Sequence, residues 1–195
     1  NRLLKPVTVP VLIERESGFV LDARVGALPP RGKRGARKRK REPAADSAPR
    51  RRSESRARVK EAFERLRAAC PKEGKITVRT DLKETYATLL RSLFGERCVH
   101  LRTSSKKKRD TRNPLWRINH TLARMRDGVS RLVRRTWAAS KLRQRLEGHL
   151  AIWVCYRNYV RGRVNWQPQH TPAMALGLDQ ARWEVERLLL RRVFR

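Results

Sequence analysis

The feature that most limits how this chain can fold is a tract between Pro29 and Arg58 that offers almost nothing to bury. The tract is rich in Pro, Gly, Ser and Ala, and it contains two basic runs, RGKRGARKRKR (31–41) and RRRSESRAR (50–58). Like charges at this density repel one another and oppose collapse. We therefore predict a basic, flexible loop or linker over residues 29–58, with folded segments on both sides of it.

An excess of positive charge extends over the whole chain. Its 195 residues include 49 Lys and Arg against 18 Asp and Glu, which gives a formal net charge of +31. A compact state with this charge is destabilised by self-repulsion unless a polyanion supplies counter-charge. DNA and RNA are the commonest polyanions, so we expect a nucleic-acid partner.

An anionic membrane is the competing partner for so basic a chain. The longest apolar stretches, at 7–13 and 150–155, are far shorter than the roughly 18 residues that a membrane-spanning helix needs. The basic runs lack interleaved apolar anchors, and no signal-like segment follows Asn1. We expect a soluble, cytoplasmic protein with no membrane partner.

The apolar content is sufficient for one modest core. Hydrophobic residues make up 39% of the chain, and five of them are Trp. Core packing is the simpler role for Trp116, Trp137, Trp153 and Trp166, although each could stack on a base. The three cysteines, Cys70, Cys98 and Cys155, have neither zinc-site nor disulfide spacing, and we expect small buried side chains in a reducing compartment.

The periodicity of the apolar residues predicts a mixed α/β chain. Two strands on either side of 16–18 predict a hairpin, in which Pro10 lacks an N–H and so marks an edge or an irregularity. A buried strand is expected at 75–80, and Asn113-Pro114 predicts the start of a long helix in which Gly128 is the weak position. Beyond the basic tract, a helix at 55–70 is followed by a strand at 75–80, a helix at 81–94 and a strand at 97–102. Three further helices are predicted at 113–137, 142–160 and 180–193.

Asp81 stands where a predicted strand ends and a helix begins. In mixed α/β domains such positions project toward a shared cleft, where a carboxylate could bind a metal. Asp81 with Glu84 three residues later also has the spacing of a helix capping box. The two roles are compatible, because a capping carboxylate keeps one oxygen free for a metal.

Asn119 and Arg126 are further candidates for functional residues. They lie seven residues apart on the long helix, which places them on one face and about 10 Å apart along the axis. Asn119 would then stand beside a metal and Arg126 would bind a phosphate through its planar pair of donors. The alternative is an ordinary solvated polar face.

Basic side chains are concentrated on and around the long helix, and Asp127 is the only acidic residue within that helix. Most of them therefore need an external anion, and phosphate contacts of this kind carry no base specificity. The predicted DNA-binding residues are Lys106, Lys107, Lys108, Arg109, Arg124, Arg131, Arg134, Arg135 and Lys141.

Several segments together resemble the C-terminal catalytic half of bacterial insertion-sequence DDE transposases, among relatives of the insertion-sequence-one group. The similarity covers about residues 3–178, and its most specific part is 113–141. It is carried by KITVRTDLKETY, His100, NPLWRINHTLARMRD, SRLVRRTWAASK, HLAIWVCYRNY and TPAMALGL.

The resemblance implies a ribonuclease-H-like mixed sheet flanked by helices, with a helical C-terminal part. It also implies Mg²⁺ or Mn²⁺ as cofactor, element ends and target DNA as partners, a dimer on DNA, and a place at the bacterial nucleoid. By this resemblance Asp81 is the second acidic residue of the catalytic set, Asn119 takes the third position and Arg126 matches a basic residue two turns later.

Two departures from the family pattern bear on activity. The strand that holds the first Asp is expected just before Asn1, and Asp22 falls in the wrong strand to replace it. The third position is Asn, whose neutral amide oxygen binds Mg²⁺ less strongly than a carboxylate. The chain is thus interpreted either as an N-terminally truncated, inactive transposase fragment or as a non-catalytic nucleic-acid-binding protein.

These expectations divide the chain into four parts. They are a hairpin of the catalytic domain at 1–28, the basic loop at 29–58, a catalytic core at 59–160 and a C-terminal loop and helix at 161–195.

Overall fold

The computed structural model describes residues 6–29, 52–108, 110–133 and 142–190. Four of the predicted DNA-binding residues, Arg109, Arg134, Arg135 and Lys141, lie outside the described residues, as does most of the predicted basic loop. The described part is mixed α/β, with helices packed around small sheets.

The N-terminal segment forms the predicted hairpin in two short pieces. Strand β1 (Val7–Thr8) pairs antiparallel with β4 (Gly26–Ala27), and β2 (Val11–Ile13) pairs antiparallel with β3 (Val20–Ala23). The first arm is interrupted at Pro10, as the missing N–H predicted. A register shift follows between Leu12 and Ile13.

A strand–helix–strand unit follows the basic tract. It consists of β5 (Ile76–Thr80), α2 (Glu84–Phe94) and β6 (Cys98–Arg102), and it is preceded by helix α1 (Ser55–Ala69). Strands β5 and β6 are parallel, as a helical crossover requires. The prediction of a buried β5 was wrong, because Val78 is buried while Thr77 and Arg79 beside it are exposed.

Among the described residues the core forms three clusters, of which two lie on the two faces of the hairpin and the third contains Val160, Trp183 and Leu188. Leu12 packs toward one cluster, while its neighbours Val11 and Ile13 pack toward the other, because successive strand residues point to opposite faces. The α1–α2 cluster contains Val59, Phe63, Val78, Leu89, Leu90 and Phe94. The second cluster contains Val20, Val25, Met125, Val129, Leu146, Leu150 and Trp153.

The predicted long helix is shorter than its apolar pattern suggested. Helix α3 (Trp116–Gly128) ends at the weak position, and a 3₁₀ turn (Ser130–Leu132) follows. A Cβ on Gly128 would lie 2.6 Å from Trp153 Nε1 on the next helix, so the absence of a side chain permits this close contact. The remainder of the predicted helix, 134–137, lies outside the described residues.

The C-terminal part docks on the hairpin through one buried amide. Helix α4 (Arg143–Cys155) continues into a π-helical turn (Tyr156–Val160). In that turn the Asn158 side chain accepts the Val20 N–H and donates to the Val20 carbonyl, both at 2.9 Å. The short helices α5 (Pro172–Ala175) and α6 (Val185–Leu190) follow. None of the described helices is long and apolar enough to cross a membrane.

Candidate active site between the two sheets

An open slot separates the β2–β3 pair from the β5–β6 pair. It consists of two adjoining cavities of about 230 and 480 Å³, which share Leu12, Val78, Arg79, Leu115 and Ile118 in their walls. Among the described residues, β2 pairs only with β3, and β5 pairs only with β6. Residues of β2 and of β5 line both cavities. The space between these two strands is called the inter-sheet slot.

Asp81 and Asn119 both line the smaller cavity of the slot. Asp81 follows the carboxyl end of β5, and Asn119 lies in the first turn of α3. Residues Ser104 and Ser105, just beyond the carboxyl end of β6, line the same cavity. Side chains that follow parallel strands meet at one edge of a sheet, which is where α/β domains commonly bind their ligands.

Asp81 does not form the predicted capping box. Helix α2 begins at Glu84 with Lys83 as its N-cap, and no side chain caps it. Instead, Asp81 Oδ1 accepts the Lys83 N–H at 3.0 Å, while the Glu84 carboxylate pairs with Arg102. The Asp81 carboxylate is thus oriented by a local turn, with its second oxygen available to a ligand.

The start of α3 differs from the prediction in a similar way. Asn113 is not the N-cap, because the helix begins at Trp116 after Leu115. The buried Asn113 side chain accepts the Leu115 N–H at 2.8 Å and donates to the Lys108 carbonyl at 2.6 Å. It therefore ties the chain before α3 to the preceding basic turn and fixes where the helix enters the slot.

The lysines of that turn stand close to the slot. Lys106, Lys107 and Lys108 are exposed, and they follow directly after the two serines that line the cavity. The Lys107 N–H donates to the Ser104 carbonyl at 3.1 Å, which closes the turn. An anion entering the cavity would therefore meet several ammonium groups beside it.

Arg126, a predicted phosphate-binding residue, and Asp22, the acidic residue of β3, both lie outside the cavity walls. Arg126 is on α3, but it does not line either cavity of the slot. Asp22 is buried in β3, where its Oδ1 pairs with Arg65 at 2.9 Å and with Arg24 at 3.6 Å. Asp22 is thus paired with two arginines and does not line either cavity.

The charge of Asp81 acts on its surroundings. Burial, and then the negative charge of Asp81, raise the pKa of Tyr86, which lines the same cavity. On β6, burial and then the positive charge of Arg102 lower the pKa of His100. The His100 ring meets the Thr80 hydroxyl at 2.7 Å, next to Asp81 in the chain. Both groups are held neutral near pH 7 and add no charge to the site.

The donors in the cavity suit a hard divalent cation only in part. Carboxylate, amide and hydroxyl oxygens are the ligands that Mg²⁺ prefers, and Asp81, Asn119 and the two serines offer all three types. However, the described residues contain no cluster of three or more His, Cys, Asp or Glu that could hold a metal. Asp81 is the only carboxylate in the smaller cavity, so a second acidic ligand would have to come from elsewhere.

Sequence reasoning missed a group of arginines on the C-terminal side of α3. Arg124 was predicted to bind DNA, but Arg157, Arg161 and Arg163 were not singled out. The available signal was the density of Arg between 157 and 163 without an acidic residue among them. Of the other predicted DNA contacts, Arg131 is half-buried in the 3₁₀ turn after α3.

The chain matches no protein-family model, no curated protein and no solved structure.

Proposed function

We propose that this chain is the catalytic region of a DDE-type transposase, with a ribonuclease-H-like fold, that cuts and joins the ends of an insertion element. The observation that carries the proposal is that Asp81 and Asn119, distant in sequence, line one cavity at the carboxyl end of β5. The resemblance assigns these same residues to the metal site. The parallel β5–α2–β6 unit and the preceding hairpin support the fold.

Asp81 and Asn119 would hold Mg²⁺ or Mn²⁺, with the Ser104 and Ser105 hydroxyls as further oxygen donors. A divalent metal held there supplies Lewis-acid stabilisation of the charge that develops on a phosphodiester. The chain's own contribution is to place the DNA. Lys106, Lys107 and Lys108 would bind backbone phosphates beside the cavity, since ammonium groups hold phosphates without reading bases.

The inter-sheet slot supports the idea that one more strand completes the site. It runs between β2 and β5, and its walls carry apolar side chains such as Leu12, Val78 and Ile118. A strand inserted there would pair with two free edges and could bring a carboxylate next to Asp81. The first acidic residue of the family pattern would occupy that strand.

The test is Mg²⁺-dependent cleavage of DNA fragments that carry the sequences flanking the gene on both sides. The protein is made with the residues encoded immediately upstream, in parallel with Asp81→Asn and Asn119→Ala. We expect each variant to lose cleavage by more than about 100-fold, because even the outer partners of metal ligands are worth about 10- to 100-fold. DNA affinity, measured without metal, should be unchanged in both variants.

Asp127→Asn is the matched control for Asp81→Asn. Asp127 is exposed on α3 and does not line the cavity, so its variant makes the same charge change away from the site. Its cleavage should remain at the parent level. Equal cleavage by the parent and both site variants would refute the metal site.

A second candidate function is non-catalytic binding of nucleic acid. It is favoured by the net charge of +31 and by the exposed lysine turn, neither of which requires Asp81. Absence of cleavage in the parent, together with tight binding that weakens steeply with salt, would establish this function in place of the first.

A further inference from the structure

Four arginines from two separate segments lie together on the C-terminal side of α3. Arg124 comes from α3, Arg157 from the π-helical turn, and Arg161 and Arg163 from the loop after it. We call them the arginine cluster. Among the described residues, none of the four forms an ion pair with a carboxylate.

Arg157 is the centre of the cluster and is only 7% exposed. Its guanidinium donates to the carbonyl oxygens of Arg161, Gly162 and Arg163, but at 3.4–3.5 Å these contacts are long. The Nε atoms of Arg157 and Arg163 are buried and have no hydrogen-bond partner. Buried charges are normally paired, so this cluster has the charge and the donors of a site whose anion is supplied from outside.

The mutual repulsion of these side chains is considerable. Burial, and then the positive charges of Arg124, Arg161 and Arg163, lower the pKa of Arg157 to about 10. Burial and then Arg161 also lower the pKa of Arg124. An oxyanion would relieve this repulsion and could accept hydrogen bonds from the arginine donors. There is space beside the cluster, because Arg161 lines a cavity of about 300 Å³ together with Asn165 and Arg182.

An aromatic side chain stands beside the cluster. The loop after Arg163 makes a tight turn in which the Gln167 N–H donates to the Val164 carbonyl at 3.2 Å. Trp166, in this turn, is 81% exposed. The turn is held in place, because a Cβ on Gly162 would lie 2.5 Å from the Pro168 carbonyl oxygen. Trp166 follows Arg163 by three positions, so their Cα atoms lie at most about 11 Å apart.

We propose that the arginine cluster binds one backbone phosphate of a single nucleic-acid strand and that Trp166 stacks on an unpaired base next to it. Arg binds phosphate oxygens through paired donors, and an exposed Trp offers a base-stacking surface that does not depend on sequence. This inference rests on the proposed DNA-binding function. Its test uses neither metal nor cleavage. The phosphate-binding proposal can therefore fail while the catalytic proposal stands, and the catalytic proposal can fail while the phosphate-binding proposal stands.

The first measurement is the unfolding temperature during a titration with inorganic phosphate, with ionic strength held constant by NaCl. A ligand that binds only the folded state raises the unfolding temperature with its concentration. We expect a rise in the parent and at most half of it in the Arg124→Gln/Arg161→Gln double variant. Arg145→Gln, which removes an exposed charge from α4 outside the cluster, should respond like the parent.

The second measurement is the affinity for a single-stranded oligothymidylate at several salt concentrations. Trp166→Ala should weaken binding roughly tenfold, the loss of one stacked base, with an unchanged response to inorganic phosphate. The double arginine variant should weaken binding and reduce the salt slope by about 0.7, the value for one phosphate on a single strand.

Three outcomes would overturn the inference. A phosphate response that is equal in the parent and the double variant would show that the cluster binds no phosphate. A phosphate response that the parent shows and the double variant loses, combined with oligonucleotide binding that the double variant keeps, would show that the site takes free phosphate instead of a nucleic-acid strand. Unchanged affinity in Trp166→Ala would remove the stacking role.

Discussion

Helix α3 contributes to two polar regions that differ in their charge. To the inter-sheet slot it contributes Asn119, beside the carboxylate of Asp81. To the arginine cluster it contributes Arg124, beside the buried Arg157, and no described carboxylate pairs with either. Among the described residues, the smaller cavity of the slot is lined by several oxygen donors and one carboxylate, whereas the cluster offers only donors and positive charge.

The difference in charge would allow one small basic domain to bind a cation in one region and an anion in the other. If the two regions lay together, a cation bound at Asp81 would be repelled by the arginines of the cluster. A phosphate bound at Arg157 would be repelled by the carboxylate of Asp81. Keeping them apart leaves each region with the counter-charge that its own ligand needs. If the two regions are independent, a substitution in one of them should leave the ligand response of the other unchanged.

Asn158, next to Arg157 in the chain, links the arginine cluster to the hairpin. Its buried side chain satisfies both backbone groups of Val20, so Asn158→Ala would leave a buried N–H and a buried carbonyl without partners. We expect a loss of about 3 kcal/mol in the free energy of unfolding, measured by denaturant titration. The response to inorganic phosphate should also weaken, because Arg157 is the adjacent residue.

Gln144→Ala is the control for this variant, since Gln144 is an exposed amide on α4 and its removal should change stability by less than about 0.5 kcal/mol. If Asn158→Ala lost stability but kept the full phosphate response, the cluster would not depend on its docking to β3. The two regions would then be more independent than the contacts indicate.

Much of the secondary structure could be predicted because local signals agreed with one another. The hairpin broken at Pro10, helix α1, and the β5–α2–β6 unit with Gly95 closing α2 all combine a clear apolar period with a turn or breaker residue. Asp81 and Asn119 were also predicted as partners, although only the family resemblance suggested their proximity.

Several of the errors have a different origin, because they depend on contacts between residues distant in sequence. The pattern of α3 continues past Gly128, but the side chain of Trp153 occupies the space beside that glycine. The capping box at Asp81 gave way to a pair between Glu84 and Arg102, on the next strand. The arginine cluster joins residues more than thirty positions apart, and no local pattern reports such a meeting.

Arg157→Met tests the electrostatic side of the comparison. Without phosphate, the buried charge of Arg157 destabilises the folded state, as its pKa of about 10 indicates. An apolar side chain of similar length should therefore raise the free energy of unfolding by about 2 kcal/mol at low salt, after the long carbonyl contacts are lost. In saturating phosphate the gain should disappear, because the parent then has its counter-ion. A destabilised Arg157→Met in phosphate-free buffer would mean that the carbonyl contacts already compensate the charge.

The smallest expected effect concerns His100, on the slot side of the comparison. Burial and Arg102 lower its pKa in the folded state, so the folded protein binds a proton at His100 less readily than the unfolded chain does. The stabilising contribution is therefore complete above the unfolded pKa of about 6.5 and is lost as the pH falls from that value through the lower pKa of the folded state. His100→Gln should reduce the loss of unfolding free energy between pH 7 and pH 5, as measured by denaturant titration. Part of the loss should persist, because burial and then Arg124 and Arg157 lower the pKa of His120 in the same direction. If His100→Gln left the pH dependence unchanged, the acid sensitivity would belong to the arginine cluster and not to the slot.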